Sequence, residues 1–365
     1  MGTSNPVNNW IFLFLYMRIV YLHTSSLCQE IKNLVSDIIY NFHSNDCELF
    51  ELKLSDIKYN NLSNLIKIRR FVKKNKIDII HAYHLMDAYY AILASKGLNT
   101  KVVYSTYSFY DNLSLLHRRV LKFVLAKADA LVFLTDIQKN LYLSKYKLNV
   151  DKVFKLIHAF SIKRLEDVRH ESIRDEFFID DFRYLIGTVC DFSPAHDIMN
   201  IFKMVKKLKR SGRNFTCVIS GNELDEFDSY FDECKYFYLM QGLDNYITIT
   251  ERRDNEANFI SQLDIFVYHS DYEVVALPVI EAMMMGINVV VNDNDMIREI
   301  THNGKYATLY KSQDAVDFSE KTRNILLELD DYKIIAETVK EECRDIFSIE
   351  RHIARLNEIY RQIIK

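Results

Sequence analysis

Glu273 and Glu281 stand eight residues apart on either side of Pro278, in the segment LDIFVYHSDYEVVALPVIEAMMMGINVVVNDNDMIREITHNG that runs from Leu263 to Gly304. Apolar runs in DIFVYH and INVVVND read as buried strands, and VIEAMMM between them reads as a helix. Proline is tolerated in a helix's first turn because the N–H it lacks would have no helical partner there. Pro278 therefore places unpaired first-turn amides just after a strand and loop. At the carboxyl edge of a parallel sheet, those amides and the positive end of the helix dipole make an anion site. Glu281, expected on the first turn, can accept hydrogen bonds from ligand hydroxyls, and Glu273 lies in the loop before it.

Other residues with chemical potential are scattered. Arg252 and Arg253 follow the strand-like YITITE and offer cations, with a solvated loop as the alternative reading. The triplet Asp293, Asn294, Asp295 is a literal DxD that reads as coincidence. His81 and His84 sit near a strand end, no HExxH occurs, and the six cysteines form no CxxC pair, so no metal is expected. The chain holds only 8 Gly and 3 Pro in 365 residues. Every phosphate loop built on clustered glycines is thereby excluded, the dinucleotide fingerprint and the P-loop included.

These groups must be positioned by α/β layers. Strand-like runs are expected at residues 17–22, 47–52, 77–83, 101–107, 130–135 and 153–158. A second series follows at 183–189, 215–221, 246–250, 263–269 and 287–293, with helical patterns between strands, as in mainly parallel sheets. The charged, strand-free stretch at 161–181 reads as the connector. The division expected is an extension over 1–16, an N-terminal domain with connector over 17–182, a second domain over 183–346 and a closing helix over 347–365. Met17 reads as an alternative start. Residues 1–182 carry a net charge of +6 and the remainder −9, which suggests different partners for the two halves. The overall charge of −3 leaves no nucleic-acid footprint. The apolar run from Trp10 to Leu22 is interrupted by Arg18 and is too short for the roughly 20 residues a membrane span needs. A reduced, cytoplasmic chain is the natural reading of the cysteine usage.

The segment from Leu263 to Gly304 resembles the donor-site segment of the family-4 retaining glycosyltransferases of GT-B fold, with their E-x7-E spacing. Leu277, Pro278, Ala282, Met283, Gly286, Val289, Val290, Glu299, Ile300 and Gly304 also fit the family pattern. The likeness extends at lower specificity to IDIIHAYH, KADALVFLTDIQKN, FTCVISG and the closing FSIERHIARLNEIYRQII. It implies two Rossmann-like α/β domains facing a cleft, with the last helix crossing back to the first domain. It also implies metal-independent transfer of a sugar, with retention, from a nucleotide-sugar donor and with no cofactor. Glu273 would face the transferred sugar, while Glu281, Val275, Ala276, Leu277, Gly221 and Asp191 would line the donor. His23, Thr24, Ser25, Tyr107 and His81 would lie on the acceptor side. A glycan or lipid-linked acceptor in cell-surface polysaccharide or glycoconjugate synthesis follows from the same likeness.

Departures from the family pattern fall at catalytic positions. Asp191 and His196 stand where the family carries the arginine and lysine that clamp the donor diphosphate, and Val274 and Ala276 replace two glycines. Two readings follow. In one, the transferase is active and its cation comes from Arg252, Arg253 or a protonated His196. In the other, the chain is a non-catalytic GT-B subunit or glycan-binding partner of an active glycosyltransferase. Separately, the run KIRRFVKKNK supplies Lys67, Arg69, Arg70, Lys73 and Lys74, which suit peripheral contact with an anionic inner leaflet; an ordinary helix with a solvated basic face is the alternative.

Overall fold

A computed structural model describes residues 16–24, 29–42, 47–54, 62–108, 113–167, 172–253, 255–271 and 275–364. Glu273, Val274 and Ser25 lie outside them. The first half alternates β1 (Met17–Thr24), α1 (Gln29–Asn41), β2 (Cys47–Leu54), α2 (Leu62–Asn75), β3 (Ile79–Ala82), α3 (Leu85–Ser95) and β4 (Lys101–Thr106). It continues through α4 (Leu115–Lys127), β5 (Ala130–Phe133), α5 (Asp136–Lys145) and β6 (Val153–Lys155), and the connector carries α6 (Ile162–Glu166) and α7 (Ile173–Glu176). The second half runs β7 (Tyr184–Val189), α8 (Ile198–Lys209), β8 (Phe215–Ser220), α9 (Asp228–Met240), β9 (Ile247–Thr250), α10 (Glu256–Ile260) and β10 (Ile265–Tyr268). It closes with α11 (Leu277–Met285), β11 (Asn288–Asp293), α12 (Asp295–Ile300), β12 (Thr308–Lys311), α13 (Ala315–Leu327), α14 (Leu329–Ile346) and α15 (Ile349–Ile364).

Two parallel six-stranded sheets result, ordered β2-β1-β3-β4-β5-β6 and β12-β11-β10-β7-β8-β9. Both are doubly wound. Strand order reverses between β1 and β3 in one sheet and between β7 and β10 in the other, and ligands of such sheets bind outside the carboxyl ends at the reversal. The expected strands are all present, mostly trimmed by a residue or two at their ends. β12 was not anticipated: TLYK is a short, partly exposed edge strand and lacks the long apolar run that marks the central ones.

The chain packs as two compact units, one of Met1–Thr106, Ser114–Leu131 and Leu356–Lys365, the other of Tyr107–Leu113 and Val132–Arg355. The end of α15 thus belongs with the first unit. Its anchor there is a wholly buried chain of hydrogen bonds, with Tyr360 Oη 3.0 Å from Tyr21 Oη and 2.6 Å from His81 Nδ1. His81 Nε2 lies in turn 2.7 Å from Ser105 Oγ. Burial on both faces of β1 explains its apolar run from Ile19 to Leu22, as helices cover both sides of a parallel sheet. In the second unit α8 turns Ile198, Ile201, Phe202, Val205 and Leu208 inward at helical spacing, against strands such as the fully buried β8.

One buried carboxyl in the first unit carries a measurable cost. Asp87, on the first turn of α3 beside the end of β1, is shut off from solvent. Burial pushes its carboxyl from 3.8 up to about 7, with the Thr24 backbone pulling the other way. Between those values the unfolded chain has released the proton that the folded chain keeps, so raising the pH favours unfolding. The stability lost across that window is roughly 4 kcal/mol at most. Asp87→Asn should therefore melt several degrees above wild type at pH 8, with the gap closing towards pH 4. A gap that stayed constant with pH in thermal melts would show that Asp87 is ionised throughout.

Candidate functional site

The carboxyl edge of the second sheet gathers most of the residues singled out on the donor side. Gly221, just past β8, lies so close to the chain leaving β7 that a Cβ would sit 1.8 Å from the Cys190 carbonyl oxygen. Only glycine permits that approach. It brings the two strand ends into register: Cys190 N donates to Ser220 O, Phe192 N donates to Asn222 O, and Gly221 N donates to Thr250 O, each at 3.0 Å.

Side chains then lace the same three strand ends together. Asp191 Oδ1 accepts from Asn222 N at 2.9 Å, and Asn222 Oδ1 accepts from Arg252 N at 3.2 Å. The Arg252 guanidinium closes the ring, with Nη1 3.4 Å from Asp191 Oδ2 and Nε donating to Glu256 Oε1 at 2.6 Å. The acid at residue 191 is thus faced by a cation from the neighbouring β9 loop. Arg253 takes another direction: it pairs with Glu176 at 2.5 Å and lies over the Phe177 ring, towards the connector.

At the β7/β10 reversal the loops are equally well tied. His196 occupies a single 3-10 turn, Pro194–His196, with Nδ1 3.3 Å from the His269 carbonyl oxygen and its ring against Tyr268. Asp271 N donates to Ala195 O. Buried His269 reaches Tyr310 Oη at 2.8 Å through Nδ1 and lies 3.1 Å from Asp271 Oδ1 through Nε2. Asn292, fully buried in β11, accepts from Ser270 N and donates to Ser270 O, while Asn294 donates to the same carbonyl at 2.6 Å. The backbone at Ser270 and Asp271 is therefore held by the chain leaving β7 and by the end of β11.

α11 begins at Leu277. Pro278 falls in its first turn as expected, and Gly286 closes it in the left-handed region at φ +77°. Val275 and Ala276 are buried ahead of it and Leu277 is its first residue. Glu281 was expected on the first turn, but the helix starts at Leu277, so Glu281 is the fifth residue and half-buried. Its backbone therefore stands one position past the four orphan amides. The DxD triplet has local duties. Asp293 accepts both arms of Arg298 at 2.6 and 2.7 Å, and Asn294 caps α12. Glu299 caps α5, accepting from Asp136 N at 2.6 Å and Ile137 N at 3.1 Å, with Lys155 2.7 Å from its carboxylate.

Of the residues expected on the acceptor side, those described belong to the carboxyl ends of β1, β3 and β4. His23 and Thr24 end β1, where His23 Nε2 lies 2.8 Å from Glu51 Oε1. His81 is fully buried in the Tyr360 chain. Tyr107 hydrogen-bonds His158 Nδ1 at 2.9 Å. Burial pushes His158 down to about 3 and nearby His352 to about 4, so both stay neutral near pH 7. Sequence reasoning missed Asn222, Glu256, His269 and Asn292. For Asn292 a signal existed, a lone amide ending the apolar run INVVV.

Residues 169–342 match the family described as Glycosyl transferases group 1, and residues 32–154 match Glycosyltransferase Family 4. The chain belongs to these glycosyltransferases. The fold agrees. A glycosyltransferase from Rickettsia africae ESF-5 superposes with a TM-score of 0.81 at 17% identity, over 96% of this chain and 99% of that one. Anabaena Alr3699/HepE, solved in complex with UDP and glucose, gives 0.79 at 14% identity over 94% and 98%. The apo lipopolysaccharide outer core galactosyltransferase WaaB gives 0.66 at 16% identity over 94% and 99%. No curated protein matches the chain in sequence.

The tight approach at Gly221 yields a test. Gly221→Ala forces the β7 and β8 ends apart, because the clash is with backbone and not with a pliable side chain. A loss of about 1–3 kcal/mol is expected, as for overpacked cores. Urea unfolding should show it; unchanged stability would mean that the strand ends are free to separate.

Proposed function

We propose that this glycosyltransferase takes a nucleotide-sugar donor at the carboxyl edge of the second sheet and transfers its sugar to a glycan or lipid-linked acceptor, in the synthesis of a cell-surface polysaccharide or glycoconjugate. The observation that carries the reading is the ring of Asp191, Asn222 and Arg252 at the ends of β7, β8 and β9, beside the strand-order reversal. On this reading the ring offers the departing diphosphate a guanidinium that is held in place before the reaction begins. Glu281 on α11 is assigned to the ribose hydroxyls, Glu273 to orienting the donor sugar, and His23 and Thr24 to the acceptor. HepE, a neighbour in fold, is solved with UDP-glucose, and WaaB is described as a lipopolysaccharide outer core galactosyltransferase, which favours donors and acceptors of these classes.

Transfer on this reading retains the anomeric configuration and uses no metal. Asp293, the first acid of the DxD triplet, is already clamped by Arg298, which leaves the charge of a leaving diphosphate to cationic side chains. Catalysis is then mainly orientation of donor and acceptor plus stabilisation of the leaving group. The expected place of work is the cytoplasmic face of a membrane, with the basic residues of α2 as the first point of contact.

A second reading has its own support. Arg252 already faces two carboxylates, Asp191 and Glu256, which offset its charge. On that reading the chain is a non-catalytic subunit that binds a glycan or an active partner glycosyltransferase. Calorimetric titration with UDP-glucose and other nucleotide sugars separates the two. The transferase reading expects donor binding weakened at least about tenfold by Glu281→Ala, and nucleotide release slowed about a hundredfold by Arg252→Ala. Absence of binding to every donor would establish the non-catalytic reading, and binding indifferent to Glu281→Ala would remove this site.

A further inference from the structure

Three helices of the first unit, α2, α3 and α4, pack side by side, α2 on α3 and α3 on α4. They cover one face of the first sheet, since the right-handed crossovers from β2 to β3, β3 to β4 and β4 to β5 all run in the same direction. Neither outer helix contains an acidic residue, and the single acid of α3, Asp87, is buried. Exposed cations line both flanks. Lys67, Arg70, Lys73 and Lys74 come from α2, and Arg118, Arg119, Lys122 and Lys127 from α4. Arg69 serves the structure instead, donating to the carbonyls of Ala94 and Lys96 at the end of α3.

Among these cations stand aliphatic side chains with no core to fill. Leu115 and Leu116, at the start of α4, are 77% and 50% exposed, and Leu62 and Ile66 on α2 are 66% and 43% exposed. Water is a poor place for four large aliphatics, at about 25 cal/mol per Å² of apolar surface. Cations alone would suit any polyanion. Cations interleaved with leucine and isoleucine suit a surface that is anionic outside and hydrocarbon beneath.

We infer that the α2–α4 face docks on an anionic lipid bilayer, with Leu115 and Leu116 entering the boundary between headgroups and acyl chains and the lysines and arginines of both helices lying on the headgroups. A nucleic acid fits less well, because the protruding groups are aliphatic and offer neither stacking planes nor amides to read bases. This extends the α2 contact proposed above to a two-helix surface with an apolar anchor, and it stands whether or not the donor site is active.

Co-sedimentation of the full chain with phosphatidylcholine vesicles, with and without about 30% phosphatidylglycerol to mimic an anionic leaflet, tests it. Wild type should bind the anionic vesicles alone. Replacing Arg70, Lys73, Lys74, Arg119 and Lys122 together by Ser should weaken that binding on the order of a hundredfold or more, at low salt above all. Leu115→Ser with Leu116→Ser should cost roughly tenfold and should remove the part that persists at high salt. Lys203→Ser with Lys207→Ser, on the second unit, should change nothing. Circular dichroism and melting of each variant check folding, and nucleotide-sugar titration of each keeps the donor reading separate. Equal recovery on neutral and anionic vesicles, full binding by the leucine variant, or capture of RNA without capture of vesicles would each overturn the inference.

Discussion

The carboxyl edge of the second sheet depends on one close approach of backbone to backbone, that of Gly221 to the Cys190 carbonyl. Were the ends of β7 and β8 to stand farther apart, Asn222 would leave the reach of Asp191, and the ring that holds Arg252 would open. A loop that must present a fixed charge to a ligand cannot be left to side-chain flexibility, because any reorganisation at the moment of reaction subtracts from catalysis. Here the backbone supplies the rigidity and the side chains are carried on it.

The same logic explains the buried polar lattice at the ends of β10, β11 and β12. His269, Ser270, Asn292 and Tyr310 all lie in surroundings where an unpaired polar group is costly, and they partner one another. The arrangement fixes where the chain leaves β10 before it enters the segment of Glu273. α11 then carries a proline in its first turn and ends at a left-handed glycine, so its length and position are set at both ends. In the first unit, the chain of Tyr21, Tyr360, His81 and Ser105 plays a comparable part, fastening the last helix to the sheet. Two sheets of similar construction thus carry different surfaces: one a helical face whose α2 and α4 hold no acid and bear exposed leucines, the other a laced edge of alternating charges.

Much of the fold was legible because parallel strands buried on both faces write long apolar runs, and those runs survive as signals even where glycine and proline are scarce. β12 escaped because an edge strand of four residues, half in solvent, writes almost none. The candidate site was legible only as positions. Asp191 stood out only as a departure from the family pattern, because nothing in the spacing of residue 191 and residue 252 says that they touch. His81 looked like an edge residue because its strand is short, yet both its nitrogens are taken inside the core. Arg253 looked equivalent to Arg252 and turned the other way.

By itself, then, the order of residues determined the α/β class, the strand positions, the helix with Pro278 in its first turn and the family whose motif surrounds it. Those are consequences of local periodicity, of proline and glycine geometry, and of residue types at fixed spacing. Only the tertiary structure decided which charges meet, that Asp191 and Arg252 share one ring across three strand ends while Arg253 does not, and that the cations of α2 and α4 form a single face with exposed leucines. Such contacts join residues far apart in the chain, and their pairing depends on strand order and backbone approach, which periodicity does not encode.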